Sequence, residues 1–208
     1  MPTEDATERA RRVWDTYAPR YDRGMGFWER IQFRGGREWV CSRATGRVLE
    51  VAVGTGRNLG LYPPGVHLTG VDLSPAMLAL ARRRAADLGL DADLREGDAQ
   101  ALPFPDGSFD SVVCTLSLCA IPDDARAMAE MARVLRPGGR LLLLDHIGSS
   151  WWPIWAVQRL IELRTIRSAG EYETRRPSRL LAAVGLERVE SERLKLGTVE
   201  RVHARKPG

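Results

Sequence analysis

A chain of 208 residues, 44% hydrophobic and 28% charged, is long enough to bury a full core as one domain, and its balance excludes both a membrane bundle and a disordered segment. Its three cysteines, Cys41, Cys114 and Cys119, form no C-x-x-C pair, which argues against a disulfide framework or a cysteine-rich zinc site, so reduced thiols and no metal are expected. The net charge of +4 rests on 31 basic residues, all but Lys195 and Lys206 being arginine; the one dense cluster, Arg82-Arg83-Arg84, reads as a solvated helix face, and nucleic acid is not expected as a partner.

The first residues, MPTEDATERARR, carry no apolar segment of the secretory kind, and no apolar run approaches the roughly 20 residues of a spanning helix, so a cytoplasmic protein is expected. From about residue 48 strands and helices alternate, which predicts a parallel sheet covered by helices. RVLEVAV (47–53) and HLTGVDL (67–73) read as strands. SPAMLALARRRAADLG follows as a helix, with Ser74 as N-cap, Pro75 at its first position and Gly89 as terminator. DADLREGDA (91–99) and SVVCTLSL (111–118) are the next strands, separated by the Pro/Gly loop LPFPDGSFD. Asp123 and Asp124 open a helix through Leu135, and RLLLLDH (140–146) is apolar enough to be a central strand. A Trp-rich helix (about 150–166), a short helix near 177–184 and two strand-like runs separated by Gly197 complete the chain, the last two expected to pair antiparallel at a sheet edge.

VLEVAVGTGRNL ends a strand in Gly54-Thr55-Gly56, a turn that lets backbone N–H groups approach a ligand. The dinucleotide fingerprint needs a glycine at position 59, where this chain has Leu59, which disfavours NAD. Asp72, 16 residues after Gly56, ends the next strand where an acid accepts the hydroxyls of a ribose; its alternative role is helix capping, already supplied by Ser74. Gly97-Asp98-Ala99 ends the third strand at the same edge, within reach of an adenine amino group, so three strand ends converge on one adenosine.

VLEVAVGTGRNL, LTGVDLSPAML, EGDAQALPFPDGSFD and EMARVLRPGGRLLLLDH, in this order and spacing, resemble the successive motifs of class I S-adenosylmethionine-dependent methyltransferases, and VWDTYAPRYD (13–22) resembles the helix that precedes them. The resemblance implies a Rossmann-like α/β fold: a seven-stranded, mostly parallel sheet with helices on both faces and a C-terminal antiparallel strand pair. It divides the single domain into an N-terminal helical cap (1–45), a cofactor-binding core (46–146) and an acceptor side (147–208). It implies S-adenosylmethionine as cofactor, with Tyr17, Tyr21, Glu50, Ala52, Gly54, Thr55 and Gly56 toward its methionine end. Asp72 and Leu73 would serve the ribose, Asp98 and Ala99 the adenine, and Thr115 the cleft at the end of its strand. Ala52 departs from the family's acid-x-Gly-x-Gly-x-Gly, and its methyl group is harmless there if φ stays negative.

A sulfonium methyl is already activated, so the protein mainly aligns two ligands and excludes water; a base is needed only where the acceptor keeps its proton. Asp145-His146, at the end of the fifth strand, offers one, with His146 as base and a carboxylate fixing its tautomer; a structural histidine is the competing reading. His67 and His203 are placed outside the crevice, and Cys114 and Cys119 are read as packing residues. SSWWPIWAVQRLIEL is either core, an apolar lid or a patch that rests on a membrane surface. Over roughly residues 45–205 the chain resembles the methyltransferase-like thiol S-methyltransferases, and less closely the phosphatidylethanolamine N-methyltransferases and ubiquinone/menaquinone C-methyltransferases. A small, fairly apolar acceptor bearing a thiol is therefore the first expectation, with a phospholipid amine, a quinone or a secondary metabolite behind it, in a monomer or homodimer. A nicotinamide-dependent oxidoreductase and a non-catalytic cofactor-binding subunit are the readings from other classes.

Overall fold

The computed structural model describes residues 4–208 apart from 34 and 169. Seven strands form one sheet: β1 (Arg47–Val51), β2 (His67–Asp72), β3 (Ala92–Glu96), β4 (Phe109–Thr115), β5 (Leu135–His146), β6 (Glu187–Leu194) and β7 (Val199–Arg205). Their order is β3-β2-β1-β4-β5-β7-β6, with the first five parallel and β7 antiparallel to both β5 and β6. The helices are α1 (Glu4–Ile31), α2 (Gly36–Cys41), α3 (Pro75–Asp87), α4 (Asp124–Val134) and α5 (Trp152–Ser168).

The period-two alternation of the strands builds a core on each face of the sheet. Leu49, Val112, Cys114, Leu141 and Leu143 point to the side covered by α4, where Met128 and Met131 meet them. Val48, Val113, Leu142 and Leu144 point to the other side and pack with Val40 and with Leu78, Ala81 and Ala85 of α3. Each such side chain contributes about 1.5–3 kcal/mol when fully buried. The sheet is thereby rigid where β1 and β4 diverge to different neighbours, the place at which open α/β sheets leave a crevice at their carboxyl ends.

Local signals fix the element ends. Ser74 Oγ accepts from the Met77 N–H at 3.1 Å, the expected cap of α3, and Asp123 caps α4 through the Arg126 N–H at 3.0 Å. β4 stops at Thr115, three residues before the expected end, because Leu116 turns into the left-handed region at φ 55°. β5 begins five residues early, pairing Leu135 with Phe109 before a register shift, so Pro137-Gly138-Gly139 lies within the strand span rather than ahead of it. The short helix expected near 177–184 is two separate 3-10 turns, Pro177–Arg179 and Ala182–Val184. Among the described residues no helix is long and apolar enough to cross a membrane.

Helix α1 lies beside α3 and carries four acids at a seven-residue spacing, Glu8, Asp15, Asp22 and Glu29, of which Glu8 pairs within the helix and the other three reach beyond it. Such a spacing keeps side chains nearly on one stripe of a helix. Asp15 accepts from Ser74 Oγ at 2.6 Å and the Ala76 N–H at 3.2 Å; Asp22 accepts from Thr55 Oγ1 at 2.7 Å and Arg84 at 2.6 Å; Glu29 pairs with both Arg57 and Arg37. Burial works against the ionised forms of Asp22 and Glu29, yet their hydroxyl and guanidinium partners outweigh it and hold both carboxyls below the ordinary range.

Candidate active site

The turn after β1 passes through positive φ three times, at Ala52 (55°), Gly54 (57°) and Gly56 (78°). The condition under which Ala52 would be harmless is therefore not met: an alanine stands in left-handed backbone, at a cost on the order of 1–2 kcal/mol. The strain persists because Val53 N–H is tied to Val71 O at 2.9 Å and Gly56 N–H to Val53 O at 3.0 Å. The two glycines differ in purpose. A Cβ on Gly54 would meet nothing within 4 Å, so that position is open to a ligand, whereas one on Gly56 would lie 2.7 Å from Leu59 Cδ1 and 3.2 Å from Ala81 Cα. Gly56 thus lets the turn pack on α3 and does not line the cleft, contrary to the expectation for it.

Beside this turn opens a cleft enclosing about 820 Å³, its open mouth included. Ala52, Gly54, Thr55, Asp72, Leu73, Asp98, Ala99 and Thr115 all line it, as does Tyr21 from α1. Asp72 accepts the Gly54 N–H at 2.7 Å on Oδ2 and the Ser74 N–H at 2.9 Å on Oδ1. Each oxygen retains a second lone pair. Burial nevertheless lifts the Asp72 carboxyl to about 6, as expected of an acid that waits for donors. Asp98 Oδ1 accepts the Gln100 N–H at 2.8 Å, which fixes the carboxylate at the end of β3.

Two further predicted cofactor residues, besides Gly56, stand elsewhere. Tyr17 is 47% exposed and meets Trp14 and Tyr21 edge-on from outside the cleft, while Trp14 and Ala10 take the wall position expected of it. Glu50 is buried beneath the turn, accepting from Asn58 Nδ2 at 2.9 Å and Tyr62 OH at 2.7 Å. Burial pushes it up to about 7 against the pull of Tyr62, Arg37 and Asn58. It does not line the cleft; its partner Asn58 also donates its amide to Thr115 Oγ1 at 3.0 Å.

Arg37 was not foreseen. This 8% exposed cation lines the cleft and donates to Thr115 Oγ1 at 2.8 Å and Asn58 Oδ1 at 2.9 Å. It shares Glu29 with Arg57, which also pairs with Asp22, so the wall below the turn offers guanidinium N–H donors suited to an amino-acid carboxylate, with their charge offset by these acids. A buried carboxyl that keeps spare lone pairs, an open glycine and a buried arginine together fit the polar groups of S-adenosylmethionine, its ribose hydroxyls and its methionine carboxylate.

Asp145 and His146 sit just behind the cleft, not among its lining residues. His146 Nδ1 lies 3.6 Å from Asp145 Oδ1 and Nε2 lies 3.4 Å from Glu173 Oε2, yet Nε2 is buried without a hydrogen-bond partner. Burial raises Asp145, and burial with the nearby Glu173 and Asp145 raises Glu171. Cys119 and Cys114 are buried thiols pushed well above the ordinary value, chiefly by burial, so both fit the packing role. Cys119, Asp145 and His146 offer donor atoms within 4.8 Å of one another, a mixed trio that no sequence spacing announced. Ser117, Ala120, Ile121 and Pro122 on the same loop do line the cleft, and Arg175 ties that loop to the chain after α5 by donating to Leu118 O and Pro122 O at 3.0 and 2.9 Å. His67 is exposed and His203 half-buried on β7, away from the cleft as expected.

Residues 49–143 match the family described as Methyltransferase domain. The chain is 38% identical over 159 residues to a phosphatidylethanolamine N-methyltransferase of Cereibacter sphaeroides, covering 76% of each protein. It is 41% identical over 141 residues to a demethylmenaquinone methyltransferase of Thermus thermophilus, covering 64% of each. Its fold matches a solved S-adenosylmethionine-dependent methyltransferase of Thermotoga maritima, described as a possible histamine N-methyltransferase, with a TM-score of 0.70 at 21% identity over 94% of this chain and 99% of that one. A putative methyltransferase of Bacillus halodurans also gives a TM-score of 0.70 at 21% identity, over 82% of this chain and 96% of that one. The fold, the cleft and these likenesses agree: the chain belongs to the class I S-adenosylmethionine-dependent methyltransferases, with S-adenosylmethionine as its cofactor.

Proposed function

We propose that the acceptor is lipid-borne and that its nucleophile is an amine, as in a phospholipid headgroup. The observation that carries this reading is the group around His146: an imidazole nitrogen without a partner, with Asp145, Glu171 and Glu173 close by. An amine meets neutral water as an ammonium and must lose a proton before it can attack. Carboxylates favour the approach of that cation, and His146, standing behind the cleft lining, would take its proton once Nε2 comes within reach of the acceptor, with Glu173 and Asp145 stabilising the imidazolium. Carboxylates so close disfavour a thiolate beside them, so the thiol first expected from the sequence gives way.

The cofactor supplies an activated methyl group. The chain's own residues bind and align: Asp72 and Arg37 hold opposite ends of the cofactor, Trp14 and Tyr21 cover it from α1, and loop 117–122 meets the acceptor. With the cofactor bound, its sulfonium methyl group would be the one transferred to the amine lone pair, and the proton given up by the ammonium would go to His146. Contact with a membrane surface follows from an acceptor of this kind. A quinone ring carbon is the second reading, favoured by the 41% identical Thermus relative.

A panel of phosphatidylethanolamine, a demethylated quinone, a small thiol and a phenol, offered with methyl-tritiated cofactor, tests this. Label in the phospholipid is expected; label in the thiol alone would overturn the reading.

A further inference from the structure

Helix α5 is built inside out. Its inward positions Gln158 and Glu162, one turn apart on one face, are polar and buried at 9% and 2% exposure. Both are fully engaged: Gln158 accepts the Ser149 N–H at 2.8 Å and donates to Ile147 O at 2.9 Å, while Glu162 accepts the Thr174 N–H at 2.7 Å and Thr174 Oγ1 at 2.6 Å. The helix is thus fastened by hydrogen bonds and leaves its large apolar side chains outside. Trp152 is 75% exposed, Leu160 69% and Leu163 60%, and Trp151, Trp155 and Ile161 are exposed beside them. Such a contiguous apolar face marks a surface that something covers.

The charges at the root of this helix indicate what covers it. Arg176 binds Gly148 O at 2.8 Å and Arg193 reaches Ser150 Oγ at 3.3 Å, so both flank Trp151. Burial, and after it the positive charges of Arg179 and Arg193, draw Arg176 below its ordinary proton affinity. Arg159, 47% exposed, stands within the helix paired with Glu162, as Arg193 is with Glu200. Tryptophans with long aliphatic side chains, rimmed by arginine, suit the boundary between acyl chains and anionic headgroups.

We propose that the outer face of α5 seats this protein on an anionic lipid surface, with the tryptophans inserted at headgroup depth and the arginines against lipid phosphate. The inference deepens the lipid-acceptor reading and rests on it for its purpose. The chain leaving α5 is clamped by Arg175 to loop 117–122, so a docked α5 puts the acceptor side of the cleft next to the surface that carries the acceptor.

The test is co-sedimentation of the full chain with vesicles of equal parts phosphatidylglycerol and phosphatidylcholine, against phosphatidylcholine alone. Binding to the anionic vesicles is expected to weaken with salt, and to fall at least tenfold in the triple variant Trp152→Gln, Leu160→Gln, Leu163→Gln. Quenching of wild-type tryptophan fluorescence by bromine-labelled lipid in the same vesicles checks the seat without any substitution. A wild type that stays in the supernatant and is not quenched would overturn the proposal, as would equal binding by a variant with unchanged melting. So would a lipid-free dimer that the triple variant turns into monomers, which would give the face to a second copy. Vesicle binding without methylation of any lipid would sink the acceptor reading and leave the surface standing; methylation of detergent-dispersed lipid without vesicle binding would do the reverse.

Discussion

The two halves of the sheet's carboxyl edge treat their polar atoms in opposite ways. At β1, β2 and β4 the groups of the cradle are fixed in position: Asp72 by two backbone N–H groups, Thr115 by Arg37 and Asn58, Thr55 by Asp22. At β5, His146 Nε2 is buried with no partner, and carboxylates crowd it. A site that only binds gains from fixed dipoles, whereas one that must take up a proton needs a group whose bonding is incomplete until the reaction.

The sharpest way to break this contrast is His146→Ala. Methyl transfer is expected to slow by about 10²–10⁴-fold, the usual range for a general base, while calorimetry with S-adenosylhomocysteine finds cofactor affinity unchanged. An unaltered rate at every pH would make His146 structural and the two halves alike. Asp72→Ala works on the other side: it is expected to weaken cofactor binding by roughly 1–3 kcal/mol, the scale of a lost bond to a charged group. Equal affinity in the same calorimetry would remove Asp72 from the ribose.

The smallest effect tests the buried support below the cradle. Folded Glu50 keeps its proton to about pH 7, well above an unfolded glutamate. Between about pH 4.5 and 7 the folded state therefore binds more protons than the unfolded one, and this residue's contribution to stability declines as pH rises. Glu50→Gln removes that decline, so the melting temperature of the variant relative to wild type is expected to climb from pH 5 to pH 8. A relative melting temperature that is flat, or that falls, would mean that Glu50 is ionised throughout.

The fold was legible wherever a local rule had one solution. Ser74-Pro75 fixed the start of α3, and the alternation of apolar strands with helices fixed the parallel half of the sheet together with its antiparallel end. The cleft was legible to the extent that its residues end strands: Ala52, Gly54, Thr55, Asp72, Leu73, Asp98, Ala99 and Thr115 all line it. Arg37 was not, because its role arises only when α2 sits over Thr115, 78 residues away in the chain. Trp14 took the place expected of Tyr17 because ring placement on α1 depends on how the helix docks, which no motif records. Ala52 broke its rule by taking positive φ, since the turn is dictated by its ties to β2 rather than by the residue that occupies it. The Trp-rich helix could not be assigned as core or surface from apolar content alone. Gln158 and Glu162 decide it, and their bonds to Ile147, Ser149 and Thr174 appear only in three dimensions.

The seven-residue beat of Asp15, Asp22 and Glu29 gives the roof of the cleft a different character from its floor. The floor is sheet and apolar core, indifferent to salt; the roof is a helix buttoned down at three points, each button a carboxylate, with its ion pairs at the edge of solvent. Ions in the medium compete for such pairs and leave the core untouched. Asp22 and Glu29 hold α1 through such pairs beside the apolar contacts of buried Ala10 and Ala18, so the grip of this helix on α3 and on the turn after β1 loosens as ionic strength rises.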